Sequence, residues 1–240
     1  MDLRLISLFI VAGLLQFSEA KPGEPIISTF SIVARDSTTG ELGVAVQSKF
    51  IAVGSAVPFA EAGVGAIASQ AWGNVRYGPV GLELLSKGKT PEEVTRLMTG
   101  ADPRRAQRQV GVIGIEGNAS IYTGKKCMDW AGGQTGPDYA VQGNILTGPE
   151  VTQAMAKAFE DANGTLAERM IESLRAGQKA GVDKRGRQSA ALLVVRKGWG
   201  YGGLNDRFRD LRVDDHPTPI EELERIYRLH RKIFARPDGK

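Results

Sequence analysis

The sequence predicts an α+β fold, a four-layer αββα sandwich, and three observations predict it. Hairpins and helix pairs fall in separate blocks along the chain instead of alternating as βαβ units. Several strand segments are small or apolar on both faces, so each expects cover on two sides. The helical segments are amphipathic and carry start signals, which suits them to outer layers.

In chain order, residues 1–20 hold one early arginine, Arg4, an apolar run LISLFIVAGLL and a polar end Ser18-Glu19-Ala20. That is the pattern of a secretory signal peptide. The mature chain is therefore expected to start near Lys21 and to be exported, to the periplasm or the medium. No later run approaches the roughly 20 apolar residues of a spanning helix, so no membrane anchor is expected. Residues 21–27, KPGEPII, read as a linker or propeptide-like segment, and a single domain is expected over residues 28–235.

The first hairpin is legible from its alternation. Phe30, Ile32 and Ala34 alternate with Ser31 and Val33, STTG turns the chain at Gly40, and Leu42, Val44 and Val46 alternate with Gly43, Ala45 and Gln47. Glycine-punctuated apolar segments follow, VGSAVPFAEAGVGAIASQA, and then two helices. The second opens with Thr90-Pro91-Glu92-Glu93, a capping box with proline at the first helical position. The same signal recurs at Thr165 with Glu168 and at Thr218-Pro219 with Glu221. Apolar stripes support each helix: Val94, Leu97 and Met98, then Leu166, Met170 and Leu174, then Ile220, Leu223, Ile226 and Tyr227. RQVGVIGIEGNASIYTG reads as a hairpin turning at Glu116-Gly117-Asn118, and QSAALLVVRKG as a buried strand.

Composition narrows the chemistry. The whole chain carries +4, and losing the leader's one arginine and two acids brings it to +5 without a basic block, which argues against a nucleic-acid partner. The sole cysteine, Cys127, reads as a small apolar residue and can form no internal disulfide. With only His216 and His230, no Cys/His spacing resembles a zinc site, and Asp214-Asp215-His216 lies just before a helix start. GVIGIEGN lies inside a hairpin, without the helix N-terminus that would bind a pyrophosphate. No Gly-x-Ser-x-Gly elbow raises a serine. Neither metal nor cofactor is expected.

The blocks TFSIVARD, GELGVAVQSKF, AEAGVGAIASQAW, YGPVGLELL, RQVGVIG, YAVQGNILTGPEV, RGRQSAALLVV and DLRVDDHP together resemble a mostly bacterial family, domain of unknown function 1028, over residues 28 to about 230. The resemblance implies a fold similar to the N-terminal nucleophile (Ntn) hydrolases and no particular substrate. In an Ntn hydrolase the first residue of the mature chain is Thr, Ser or Cys; its side chain attacks an amide carbonyl while its own α-amine takes the proton. A free α-amine titrates at roughly 7.7 to 8.0, so it serves as a base near neutral pH, whereas an amide nitrogen does not.

The resemblance assigns that role to Thr29, on condition that the chain is cut a second time between Ser28 and Thr29. The other reading of Thr29 is a β-branched residue opening a strand. Pairing across the turn brings Gln47 to Lys49 opposite Thr29, and Lys49 would hold a freed amine neutral by like-charge repulsion; it equally suits a solvated strand end. Ser69, Gln70 and Asn74 after one strand, and Gln142, Gly143 and Asn144 before the helix entered at Pro149, offer amide and helix-start donors for an oxyanion. Arg187, beside Arg185 and Gln188, would suit a substrate carboxylate. Trp72, Trp130 and Trp199 suit either a cleft wall or the core. Two functions follow as expectations: an exported Ntn-type amidohydrolase acting on a small peptide or an amino-acid or cell-wall conjugate, or a non-catalytic secreted binding module with the same cleft. Self-association into a homo-oligomer is compatible with both.

Overall fold

A computed structural model describes residues 28–181 and 186–239; the leader and linker expected over residues 1–27 lie outside the described residues. The chain opens with β1 (Thr29–Arg35) and β2 (Leu42–Ser48), antiparallel with Thr29 opposite Ser48 and Arg35 opposite Leu42. Asp36 accepts the Thr38 and Thr39 amides at 2.9 Å each, and Gly40, at φ +73°, supplies the left-handed residue the turn needs. β3 (Pro58–Glu61) and β4 (Gly65–Ala71) form a second hairpin.

Two helices follow, α1 (Tyr77–Ser86) and α2 (Pro91–Gly100). In α2 the Thr90 side chain accepts from the Glu93 amide while Glu93 accepts from the Thr90 amide, so the capping box forms. Gly78 lets α1 lie flat on the sheet, since a Cβ there would run into the Phe59 ring. β5 (Arg108–Gly114) and β6 (Ala119–Thr123) make the expected hairpin.

A further hairpin that the sequence does not announce, β7 (Gly132–Gly136) and β8 (Tyr139–Asn144), precedes α3 (Glu150–Asp161) and α4 (Leu166–Gly181). β7, GGQTG, has no apolar alternation to announce it. It is held by β8, and β8 by β1, with Asn144 opposite Thr29. The chain finishes with β9 (Ser189–Val195), β10 (Arg207–Val213) and α5 (Pro219–Ile233). At α4 the Thr165 and Glu168 bonds form as expected. At α5 they do not: Thr218 makes no side-chain cap, because its amide and hydroxyl both meet His216 Nδ1, at 3.1 and 3.3 Å. Only Pro219 at the first turn remains of that expected signal.

The strands form two sheets, a six-stranded one in the order β10-β9-β2-β1-β8-β7 and a four-stranded one in the order β3-β4-β5-β6. Three apolar layers result. Phe30, Ile32, Ala45 and Val141 pack with Met155, Leu166, Met170 and Leu223 between the larger sheet and α3, α4 and α5. Val33, Val44, Val46, Ala66 and Ile113 fill the space between sheets. Ile67, Val110 and Val112 pack against Leu82, Val94 and Met98 of α1 and α2. The architecture is the α+β, four-layer αββα sandwich the sequence predicts, and β1 is central in its larger sheet. No helix among the described residues is long and apolar enough to cross a membrane.

Candidate active site

Alternation sets which side chains meet. On β1, Phe30 and Ile32 face the helices, so Thr29 and Ser31 face the second sheet. The partners of Thr29 on the same face are Ser48 of β2 and Asn144 of β8, and from the opposing sheet Gln70 of β4 and Gln109 of β5 reach across. Where the rest of the inter-sheet layer is apolar, this end is polar and buried.

The Thr29 hydroxyl lies 2.8 Å from Ser48 Oγ, and Ser48 Oγ donates to the Ser28 carbonyl at 3.0 Å. A serine hydroxyl has one proton. With it committed to Ser28, Thr29 is the donor of the first bond, and the chain of bonds runs from Thr29 through Ser48 to the carbonyl just ahead of Thr29. The Lys49 amide donates to that same carbonyl at 2.9 Å. Two donors thus converge on the oxygen of the Ser28–Thr29 peptide bond, the arrangement that stabilises an oxyanion.

The Thr29 carbonyl is held from the other side. Gln70 Nε2 donates to it at 3.3 Å and Asn144 Nδ2 at 3.5 Å, and both amides also donate to Gln109 Oε1, at 2.8 and 3.2 Å. Gln109 Nε2 in turn donates to the Gly143 carbonyl at 2.8 Å and to Thr123 Oγ1 at 3.0 Å. Ser31 donates to Gln70 Oε1 at 2.6 Å and accepts from Gln142 Nε2 at 3.3 Å. Gln142 Oε1 is buried without a hydrogen-bond partner. A buried amide network whose donors are matched fixes its members, since each broken bond strands a desolvated group.

Of the residues singled out from sequence, Thr29, Gln70, Gln142, Gly143 and Asn144 come together here. Others do not. Lys49 is one residue past Ser48, and its ammonium lies beside Gly186, 3.6 Å from where a Cβ would sit there; Ser48 holds the Thr29 hydroxyl instead. Ser69 points to the helix side of β4, its hydroxyl on the Asn74 carbonyl at 3.0 Å. Asn74 donates to Asp102 at 3.1 Å. Arg187 lies 3.5 Å from Glu221 on α5. Ser48 sits at the centre of the span the sequence places opposite Thr29, and Gln109 and Ser31 join it without having been singled out, although each is a polar residue within an otherwise small or apolar strand, which is itself a signal.

The loop after β4 is fixed by a second polar cluster. Asp102 accepts the Arg104 amide at 2.7 Å, Arg108 Nε at 2.9 Å, Tyr77 Oη at 3.0 Å and Asn74 Nδ2 at 3.1 Å. Burial alone would raise the Asp102 carboxyl, but these donors, Arg104 and Arg108 foremost, bring it down to about 2. Burial and then the Asp102 carboxylate push the Tyr77 phenol well up. Three of the four non-glycine residues with left-handed backbone among the described residues lie at this end, Ala71 closing β4 at φ +65°, Ile145 following β8 at +57° and Ala52 following β2 at +53°, while Asp138, at +63°, lies in the turn between β7 and β8. Such backbone costs on the order of 1 to 3 kcal/mol and collects at functional sites.

A polar cavity of about 360 Å³, lined by Arg35, Asp138, Glu160 and Arg169 among others, opens at the far end of β1, away from Thr29. Cys127 is half-buried, its sulfur on the Arg108 carbonyl at 3.3 Å, and burial raises its thiol. Asp215 and His216 are engaged by Gln188 and Thr218. Among the described residues no group of three or more His, Cys, Asp or Glu side chains is placed to hold a metal ion.

Fold and site together define an αββα sandwich in which a buried threonine opens a central strand and the preceding carbonyl is gripped by two donors. Within that class, the chain belongs to the family of unknown function DUF1028, whose model matches residues 29–223. Protein SPO2555 from Silicibacter pomeroyi, a solved structure of the same family, is similar at 32% identity and a TM-score of 0.78, over 85% of this chain and 89% of that one. Anbu (ancestral beta-subunit) from Yersinia bercovieri superposes at a TM-score of 0.37 and 13% identity, over 86% of this chain and 96% of that one, too distant a likeness to bear on chemistry. No protein with a curated description matches the chain.

Proposed function

We propose that this chain is the precursor of an exported Ntn-type amidohydrolase that cuts its own Ser28–Thr29 bond and then uses Thr29 on a small peptide or an amino-acid or cell-wall conjugate. The observation that carries the reading is the path from Thr29 Oγ1 through Ser48 Oγ to the Ser28 carbonyl oxygen, 2.8 and 3.0 Å. Attack by Thr29 Oγ1 on the Ser28 carbonyl carbon forms a five-membered ring. The hydroxyl proton passes to Ser48, and the Ser48 proton passes to the former carbonyl oxygen. Collapse breaks the bond to the Thr29 nitrogen, which takes that proton, and leaves Ser28 as an ester on Thr29. Water then releases a Ser28 carboxylate and a threonine with both hydroxyl and amine free. In the second stage the hydroxyl attacks a substrate amide and the amine takes its proton.

Thr29 is only 5% exposed, so the uncut chain presents no nucleophile to an outside substrate. That burial favours the binding-module reading for any form in which the bond stays intact. Intact mass and N-terminal sequencing of the exported protein separate the two. The reading expects a chain starting at Thr29, a Thr29→Ala chain that is never cut there, and a Ser48→Ala chain cut roughly 10²-fold more slowly. Turnover by a preparation in which the Ser28–Thr29 bond is intact would overturn it.

A further inference from the structure

Two of the residues that grip Thr29, Ser48 and Gln70, lead directly to a large apolar side chain left in solvent. Two residues beyond Ser48 is Phe50, 40% exposed; two beyond Gln70 is Trp72, 63% exposed. These two side chains therefore follow directly on the ends of the two strands that hold Thr29, β2 beside it and β4 of the facing sheet.

Their backbones are fixed. The Phe50 carbonyl accepts from Ser189 Oγ, the Trp72 amide donates to Gln107 at 3.2 Å, and the Trp72 carbonyl accepts from Arg108, itself locked to Asp102. An aromatic ring held out by an anchored loop is an apolar surface prepared before anything binds, and prepared surfaces lose little entropy on binding. Apolar groups beside a buried polar reaction centre are also the usual composition of a small-molecule site.

We propose that Phe50 and Trp72 form the specificity collar of this site, taking an aromatic or branched apolar side chain on the acyl side of the scissile amide. This rests on the proposed function for the position of the reacting carbonyl. It adds the substrate class, which the polar centre itself leaves open.

The test uses the full-length processed protein and amino-acid p-nitroanilides of phenylalanine, leucine, alanine, glutamate and lysine. Phenylalanine and leucine should exceed the other three in kcat/KM by about tenfold or more. Trp72→Ala and Phe50→Ala should each lower the phenylalanine-to-alanine ratio about tenfold, acting through KM. Trp72 is mostly exposed, so its loss leaves the core intact, and Trp72→Lys serves as a second variant that should favour glutamate. Equal loss across all substrates, or a preference for charged ones in the wild type, overturns the collar. So does a Trp72→Ala protein that merely changes from dimer to monomer in light scattering with selectivity unaltered. If no anilide is turned over, N-terminal sequencing, which reports whether Thr29 is freed, judges the proposed function, and the collar is judged on its own by fluorescence titration. N-acetylphenylalaninamide should then bind about tenfold more tightly than N-acetylalaninamide, and Trp72→Ala should abolish the difference; equal binding overturns it.

Discussion

Asp102 supports both the fold and the placement of Trp72, and replacing it by asparagine tests that dual role. The carboxylate is 7% exposed and accepts from four donors, among them an Arg108 guanidinium only 14% exposed. Moving a carboxyl from 3.8 to about 2 is worth about 2 kcal/mol of folding free energy at neutral pH. The Asp102→Asn side chain would keep the shape but turn an N–H₂ toward donors and leave a buried guanidinium without its counter-charge, so a total loss of about 3 kcal/mol is expected. For a domain of this size that lowers Tm by roughly 6 to 12 °C. The pH dependence follows from the sign of the shift. The folded value is depressed, so the stabilisation is full above the unfolded value near 4 and is lost as pH falls toward 2. Urea unfolding of both proteins at pH 7 and pH 3 should show the wild-type margin shrinking by about 1 kcal/mol at the lower pH. In parallel, Trp72 emission in the folded variant should lose anisotropy as its loop is released. A variant within about 0.5 kcal/mol of wild type, or a margin that does not change with pH, would refute the argument.

The other predictions concern the far end of the chain. Arg236 donates through Nη1 to both oxygens of Glu41 at 2.9 and 3.0 Å, with side chains 4% and 2% exposed, while its Nε and Nη2 stay on Asp238 at 3.1 and 3.0 Å, so Glu41→Ala should cost about 1.5 to 3 kcal/mol by thermal unfolding. Replacing Glu41, Arg236 and Asp238 together by leucine should recover part of that loss, because no member of the cluster then keeps a buried charge without its partner. His230 Nδ1 accepts from Arg209 Nη1 at 2.8 Å, and burial followed by the Arg209 charge holds the imidazole below its usual value. Its share of stability is thus full above the unfolded value of about 6.5 and declines as pH falls through the folded one. Urea midpoints at pH 7.5 and pH 5 should separate more for wild type than for His230→Gln.

Much of the sandwich was legible because period and caps are local. The alternation in β1 and β2, the Thr90 and Thr165 boxes and the Glu116 to Asn118 turn all form where the residues demand. β7 was not legible because GGQTG owes its extended form to its partner; nothing within those five residues prefers a strand. Thr218 misled for the converse reason: a local competitor, His216, takes the bonds a cap would have used.

The site was legible in part for the same physical reason, and the expected span of Gln47 to Lys49 opposite Thr29 holds, with Ser48 at its centre. Pairing across a turn fixes a register only to about one residue, and in a strand one residue is the difference between the two faces of the sheet. The sequence brought Gln47 to Lys49 opposite Thr29, and chemistry made the lysine attractive. Register gives the position to Ser48, because Thr29 stands opposite it and shares its face. The substitution changes the chemistry that is possible. Under the proposed function, a lysine beside Thr29 would act on an amine that exists only after cleavage, whereas a serine bridging Thr29 to the Ser28 carbonyl would act on the bond before it is cut. Ser48→Ala and Lys49→Ala therefore divide the two stages. The first should slow release of Thr29, and the second should leave release intact and alter at most the pH at which the freed amine works.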